Sequence, residues 1–163
     1  MSEPAIDRAK IDELRQQHIG RLLLRAHRAF SMLAIDKLRL RGHAGLSLAH
    51  TNLLANLDLG GTRITTLAER LGISKQAVGH LALDLEQRGY VERSVDVSDR
   101  RATLLTFTDA GWRFLQDAHL IKREIESEYQ EILGEQGFDE LRLLLLRLLQ
   151  NDKAIETDEE LSL

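Results

Sequence analysis

Residues 67–78 read Leu67-Ala68-Glu69-Arg70-Leu71-Gly72-Ile73-Ser74-Lys75-Gln76-Ala77-Val78, and this stretch decides the fold. A helix capped by Thr65 is expected to run through Leu71. Gly72 can adopt left-handed backbone at no steric cost, so the helix stops there. Ser74 has a hydroxyl placed to accept a bond from a free backbone N–H, which makes it the N-cap of a second helix from Lys75 to about Arg88. Gly89 supplies the second left-handed stop. Two helices joined by a three- to four-residue turn containing glycine form a helix-turn-helix.

On the C-terminal side, residues 90–95 and 102–107 are rich in β-branched and aromatic residues. The polar run Asp96-Val97-Ser98-Asp99-Arg100-Arg101 separates them, which predicts a β-hairpin with a charged tip. A hairpin directly after a helix-turn-helix is a wing. Thr108 then caps a long helix from Asp109 to about Leu133, with the Asp109 charge well placed in its first turn. Gly134 and Gly137 are expected to interrupt it. Residues 138–150 carry leucine at 141, 143, 144, 145, 146, 148 and 149. Leucines on nearly every side of a helix call for burial on every side, and a partner subunit is the simplest source of it.

On the N-terminal side, Ile19, Leu22, Leu23, Ala26, Phe30 and Leu33 recur at three- and four-residue steps. They predict one helix over residues 6–41, ended by Gly42 and Gly45. Ser47 caps a helix over residues 48–57 that closes at Gly60-Gly61, and Arg63-Ile64 is a short extended piece.

The expected fold is therefore mainly α with a small β-hairpin wing. Residues 1–45 form an N-terminal dimerisation helix and residues 46–107 the winged helix-turn-helix. Residues 108–150 form C-terminal dimerisation helices, and 151–163 a loosely ordered acidic tail. Composition agrees: of 163 residues one is proline, Pro4, and 4% are aromatic, which disfavours an all-β sandwich. Cysteine is absent, excluding disulfides, thiolate metal sites and thiol chemistry. No long apolar run and no signal-peptide pattern is present, so a cytoplasmic chain without a membrane partner is expected.

The formal net charge of −4 argues at first against nucleic acid, but it is unevenly spread. Residues 21–43 hold six Lys/Arg against Asp36 alone, net +5. Residues 62–101 hold seven against six, net +1, and residues 108–163 six against fourteen, net −8. Local field governs a phosphate-binding surface, so the acidity of the C-terminal helices does not count against the helix-turn-helix.

The chain resembles the MarR (multiple antibiotic resistance regulator) family of winged-helix repressors. The resemblance is carried by Leu67–Val78, by Leu85-Glu86-Gln87-Arg88-Gly89-Tyr90-Val91-Glu92-Arg93, by Asp96 and Asp99-Arg100-Arg101-Ala102, by Leu105-Thr106, and by Thr108-Asp109-Ala110-Gly111. It implies a homodimer that binds double-stranded DNA at a pseudo-palindromic operator. The second helix of the motif would lie in the major groove, presenting Ser74, Lys75, Gln76 and His80. Arg101 and Arg100 would enter the neighbouring minor groove, with Asp99 bracing Arg101 by a salt bridge. Arg93 and Thr106 are candidate phosphate contacts. Ala77, Gly79 and His80 depart from what relatives commonly carry on the reading surface.

Relatives often bind small aromatic anions in a crevice between the dimerisation helices and the winged helix. His27, Arg28, Phe30 and Trp112 are the corresponding candidates, although Phe30 and Trp112 equally suit a core. The function this implies is a repressor relieved by a small-molecule effector. The alternative is a winged-helix protein-interaction module without specific DNA reading. No enzyme is expected, since glycine-rich phosphate loops and carboxylates paired beside a histidine are both missing. Neither a cofactor nor a metal is expected: the six histidines have no zinc-ligand spacing, although His43 and His50 flank one helix start.

Overall fold

The computed structural model describes residues 8–160, with side-chain surroundings at Lys10 and over residues 14–150. It comprises two compact units, Met1–Ile121 and Lys122–Leu163. The element order is α1 (Arg8–Gln17), α2 (Ile19–Leu40), α3 (Leu48–Ala55), β1 (Thr62–Arg63), α4 (Ile64–Leu71), α5 (Lys75–Gln87), β2 (Val91–Val95), β3 (Thr103–Phe107) and α6 (Asp109–Glu160). Among the described residues no helix is long and apolar enough to cross a membrane.

The single helix expected over residues 6–41 is two helices. His18 takes extended backbone (φ −61, ψ 131) and caps α2 with its carbonyl, which accepts from the N–H groups of Arg21 and Leu22. The apolar stripe that predicted a helix begins at Ile19, where α2 begins. The polar residues before it supply no stripe to continue the same helix. The expected start at residue 6 lies outside the described residues.

The winged core is built as its pattern implies. Along α5, Val78, Ala82 and Leu85 are fully or nearly fully buried at i, i+4 and i+7, and they share a core with Leu53, Leu54, Leu67 and Leu105. Gly72 ends α4 in left-handed backbone (φ 62). The three-stranded sheet has the order β1-β3-β2, antiparallel throughout. Its third strand moves one expected boundary. Because Thr62 and Arg63 pair with Leu105 and Leu104, the chain stays extended through Arg63, and α4 starts at Ile64 with Arg63 rather than Thr65 at the N-cap.

Two buried histidines serve as polar struts. His43 has Nδ1 3.0 Å from the Tyr90 hydroxyl and Nε2 3.0 Å from Asp117 Oδ2, and Phe114 meets its ring edge-on at 5.5 Å. Burial pushes the Tyr90 phenol up. His50 accepts the Ser47 N–H at 3.1 Å on Nδ1, completing a capping box for α3, and meets Asp84 Oδ2 at 2.9 Å through Nε2. The two rings thus belong to separate networks. Among the described residues no group of three or more His, Asp or Glu is arranged to hold a metal ion.

In the second unit α6 is broken once, at Gly134 (φ 72, ψ 156), a conformation essentially confined to glycine. Gly137, expected to add a second break, keeps helical backbone. Beyond the break, Arg142 lies over the Phe138 ring at 5.0 Å and reaches back across the break to Glu126 at 3.4 Å. All seven leucines from 141 to 149 are exposed in the single chain. The backbone is helical to Glu160, so the tail expected to be loose is helix over residues 151–160. After Gly137 the sequence has neither glycine nor proline to end a helix. Residues 161–163 lie outside the described residues.

Candidate nucleic-acid interface

With Val78, Ala82 and Leu85 turned inward, α5 exposes Ser74, Lys75, Gln76 and His80 together, as the sequence predicts. Ser74 caps the helix, accepting the Ala77 N–H at 3.2 Å. Its hydroxyl and the remaining free N–H groups lie at the positive end of the helix dipole, beside the Lys75 ammonium, a setting suited to an anion. Ala77 and Gly79 are half-buried, and space beside Gly79 is open.

The wing extends from the same body. β2 and β3 pair from Val91↔Phe107 to Val95↔Thr103, and the ladder closes with the Asp96 N–H donating to the Ala102 carbonyl at 3.0 Å. Beyond that point the chain turns through Asp99–Ala102, whose own bond is 2.8 Å. Arg100 and Arg101 are exposed there, and neither makes an ion pair among the described residues.

The expected Asp99–Arg101 salt bridge is not what braces the tip. Asp99 Oδ1 accepts the backbone N–H of Arg101 at 3.0 Å, an Asx turn that spends the carboxylate on the main chain. The tip is held instead by a group that sequence reasoning missed. Arg63 Nε donates to Asp96 Oδ2 at 2.6 Å and Arg63 Nη2 donates to the Ser98 hydroxyl at 2.9 Å. Ser98 in turn donates its N–H and hydroxyl to Asp96 Oδ1 at 2.7 and 2.8 Å. These donors, the Ser98 hydroxyl first and Arg63 after it, hold the Asp96 carboxyl far below the usual carboxylate range. The Asp96-x-Ser98 spacing was the local signal. The partner 33 residues upstream had none.

Arg93, expected on phosphate, is ion-paired in the single chain: its Nε donates to Glu86 Oε2 at 2.7 Å and its N–H to Glu86 Oε1 at 3.3 Å. This ion pair fastens the wing stem to α5. Thr106, half-buried on β3, sits opposite Glu92. Of the effector candidates, His27 and Arg28 are exposed on α2 and Phe30 is half-buried there. Trp112 lies on α6 against Phe107 of β3, ring centres 5.6 Å apart. Among the described contacts none joins Trp112 to His27 or Arg28.

Residues 44–102 match the MarR family. Over 117 residues the chain is 29% identical to the HTH-type transcriptional repressor MdtR of Bacillus subtilis strain 168, covering 71% of this chain and 74% of that protein. Wild-type MarR from E. coli, in its apo form, matches with a TM-score of 0.70 at 20% identity, over 81% of this chain and 96% of that one. CouR from Rhodococcus jostii RHA1, solved bound to p-coumaroyl-CoA, matches with a TM-score of 0.63 at 25% identity, over 82% and 92%. The matched segment runs from α3 to the wing tip and so includes both α5's exposed polar side and the two tip arginines. The chain is thus similar, over its winged helix-turn-helix, to the MarR family, and in fold to solved MarR-family regulators.

Proposed function

We propose that the protein is a homodimeric, cytoplasmic repressor that reads a pseudo-palindromic operator in double-stranded DNA and is released by a small aromatic anion. The observation that carries this is the presence, in one winged unit, of α5's capped, polar N-terminal half and a wing whose exposed tip offers two arginines that make no ion pair among the described residues. Gln76 has the donor and acceptor to pair with adenine, and Lys75 reaches guanine or phosphate. Arg100 and Arg101 read minor-groove width. Dimerisation is supported by the exposed leucines at 141, 143, 144, 145, 146, 148 and 149, an apolar helix surface that a second copy would bury. Two copies would then present their α5 helices to half-sites about one helical turn apart. An effector is supported by the ligand of CouR, and His27, Arg28, Phe30 and Trp112 remain its proposed contacts.

A gel-shift titration with the DNA upstream of the protein's own coding sequence tests the central claim. Tighter binding there than to a random duplex at about 150 mM salt is the expected result, and equal binding overturns it. Arg101→Ala is expected to weaken binding without altering the melt. One observation favours the alternative, a protein-interaction module. Arg63, Arg70, Arg88 and Arg93 in the reading head are each paired with a carboxylate, which thins its positive field. No DNA affinity even at low salt, together with a defined protein partner, would select that function.

A further inference from the structure

We propose that Arg63 is a positioning residue for DNA reading: through Asp96 and Ser98 it holds the wing tip in place before DNA arrives. The proposal rests on the DNA-reading function above and adds a residue to it. Arg63 is poorly explained by its own helix. It stands at the N-cap of α4, where Ser, Thr, Asp or Asn would satisfy a free N–H, and its side chain caps nothing. A cation also sits unfavourably at the positive end of a helix dipole.

What the side chain does is close a polar unit with the wing. The guanidinium edge donates to Asp96 Oδ2 and the Ser98 hydroxyl, and Asp96 Oδ1 takes the Ser98 N–H and hydroxyl. The sheet ladder ends with the bond from Asp96 to Ala102. Beyond it, the tip's other hydrogen bonds among the described residues are local, from Ala102 to Asp99 and from Arg101 to Asp99. Among the described residues the Arg63 fork is therefore the tie between the tip and the body. At the stem, Glu86 of α5 holds Arg93 of β2. The recognition helix and the tip arginines are thus linked through fixed contacts at both ends of the hairpin.

The ion pair is partly exposed, with side-chain exposures of 41% for Arg63 and 14% for Asp96, so little folding stability is expected from it. Its effect falls on binding, because a loop ordered in advance loses less entropy when Arg100 and Arg101 enter the groove.

The test compares Arg63→Ala, Arg63→Lys and Asp96→Asn, in the wild type and in a background carrying R100A and R101A. The probe is a duplex enriched by the wild-type protein from a random library. Asp96→Asn decides the sign. It removes a negative charge near DNA and frees Arg63, so a direct phosphate contact by Arg63 predicts tighter binding, whereas positioning predicts weaker binding. About tenfold weaker binding is expected for Asp96→Asn and Arg63→Ala. Arg63→Lys should fall with them, since an ammonium keeps the charge but cannot make the fork. In the R100A/R101A background Arg63→Ala should cost nothing more.

Unchanged or tighter binding by Asp96→Asn, or a full additive loss in that background, overturns the proposal. Amide exchange over residues 97–101, measured without DNA, should quicken in Arg63→Ala while the melt stays unchanged. Unaltered exchange overturns the brace even if the wild type enriches no duplex. That last failure by itself would overturn the DNA-reading function.

Discussion

Gly79 and Gly111 are the same residue type under opposite constraints. In the first turn of α6, a Cβ on Gly111 would run into the Tyr90 carbonyl oxygen and the Phe107 ring, so α6 can approach the sheet only without a side chain there. Gly111→Ala is expected to destabilise the protein by roughly 1–3 kcal/mol. Gly79 has nothing within 4 Å of a Cβ, and its φ is not positive. Gly79→Ala should therefore stabilise by about 0.5–1 kcal/mol, by the helix propensity gained. Urea melts of the two variants check both signs, and a destabilised Gly79→Ala would overturn the second. The sequence shows two glycines; only the packing separates them. Charge at single residues is readable as pH dependence. Arg70, and after it Thr62, holds the Asp58 carboxyl below its ordinary value. A carboxyl depressed in the folded state contributes stability above its unfolded value, near pH 3.9, and loses it as pH falls through the folded value. The gap in melting temperature between wild type and Asp58→Asn should thus narrow from about pH 6 to about pH 3. A constant gap would show that the Asp58–Arg70 pair makes no linked contribution.

At the level of the element, α5 is where local chemistry and function meet. Ser74 caps it with one hydrogen bond, so Ser74→Ala should cost about 1 kcal/mol. Ser74→Asp keeps a capping oxygen and adds a charge that favours the helix N-terminus, so its stability should match or exceed the wild type. The same charge would face DNA phosphate, and operator binding should be lost. Stability and binding moving in opposite directions in one variant is the signature; unimpaired binding by Ser74→Asp would take α5's N-terminus out of the interface. Elements of this kind were legible because their evidence is local: a cap at Ser74, a left-handed stop at Gly72, and an i, i+4, i+7 core at Val78, Ala82 and Leu85. The wing strands were legible from β-branched composition in the same way. What escaped was set by pairing at a distance. Two residues of β1 on β3 moved the start of α4, and the Arg63 fork displaced Asp99 as the brace of the tip. The extended backbone at His18 escaped for the reverse reason, since an apolar stripe starting at Ile19 carries no information about residues before it.

For the molecule as a whole, the single chain leaves one large imbalance. Leu144 and Leu148 are 49% and 59% exposed, and they lie one turn apart within a run where neighbouring leucines are exposed as well. Scattered surface leucines are ordinary, but a contiguous apolar helix is not. In sequence, the acidic residues of 108–163 lie on either side of this apolar run. If a second copy supplies the cover, light scattering should give twice the chain mass, and the double variant L144D/L148D should shift the protein toward the monomer. DNA binding then separates assembly from reading. A monomer keeps α5 and the wing, so it should still bind a half-site, while its affinity for the full operator falls because the second contact is no longer intramolecular. The wild type and the double variant should therefore bind an isolated half-site alike and differ on the full operator. Equal affinity for the full operator, with the variant shown to be monomeric, would mean that dimerisation is not how the protein recognises its DNA.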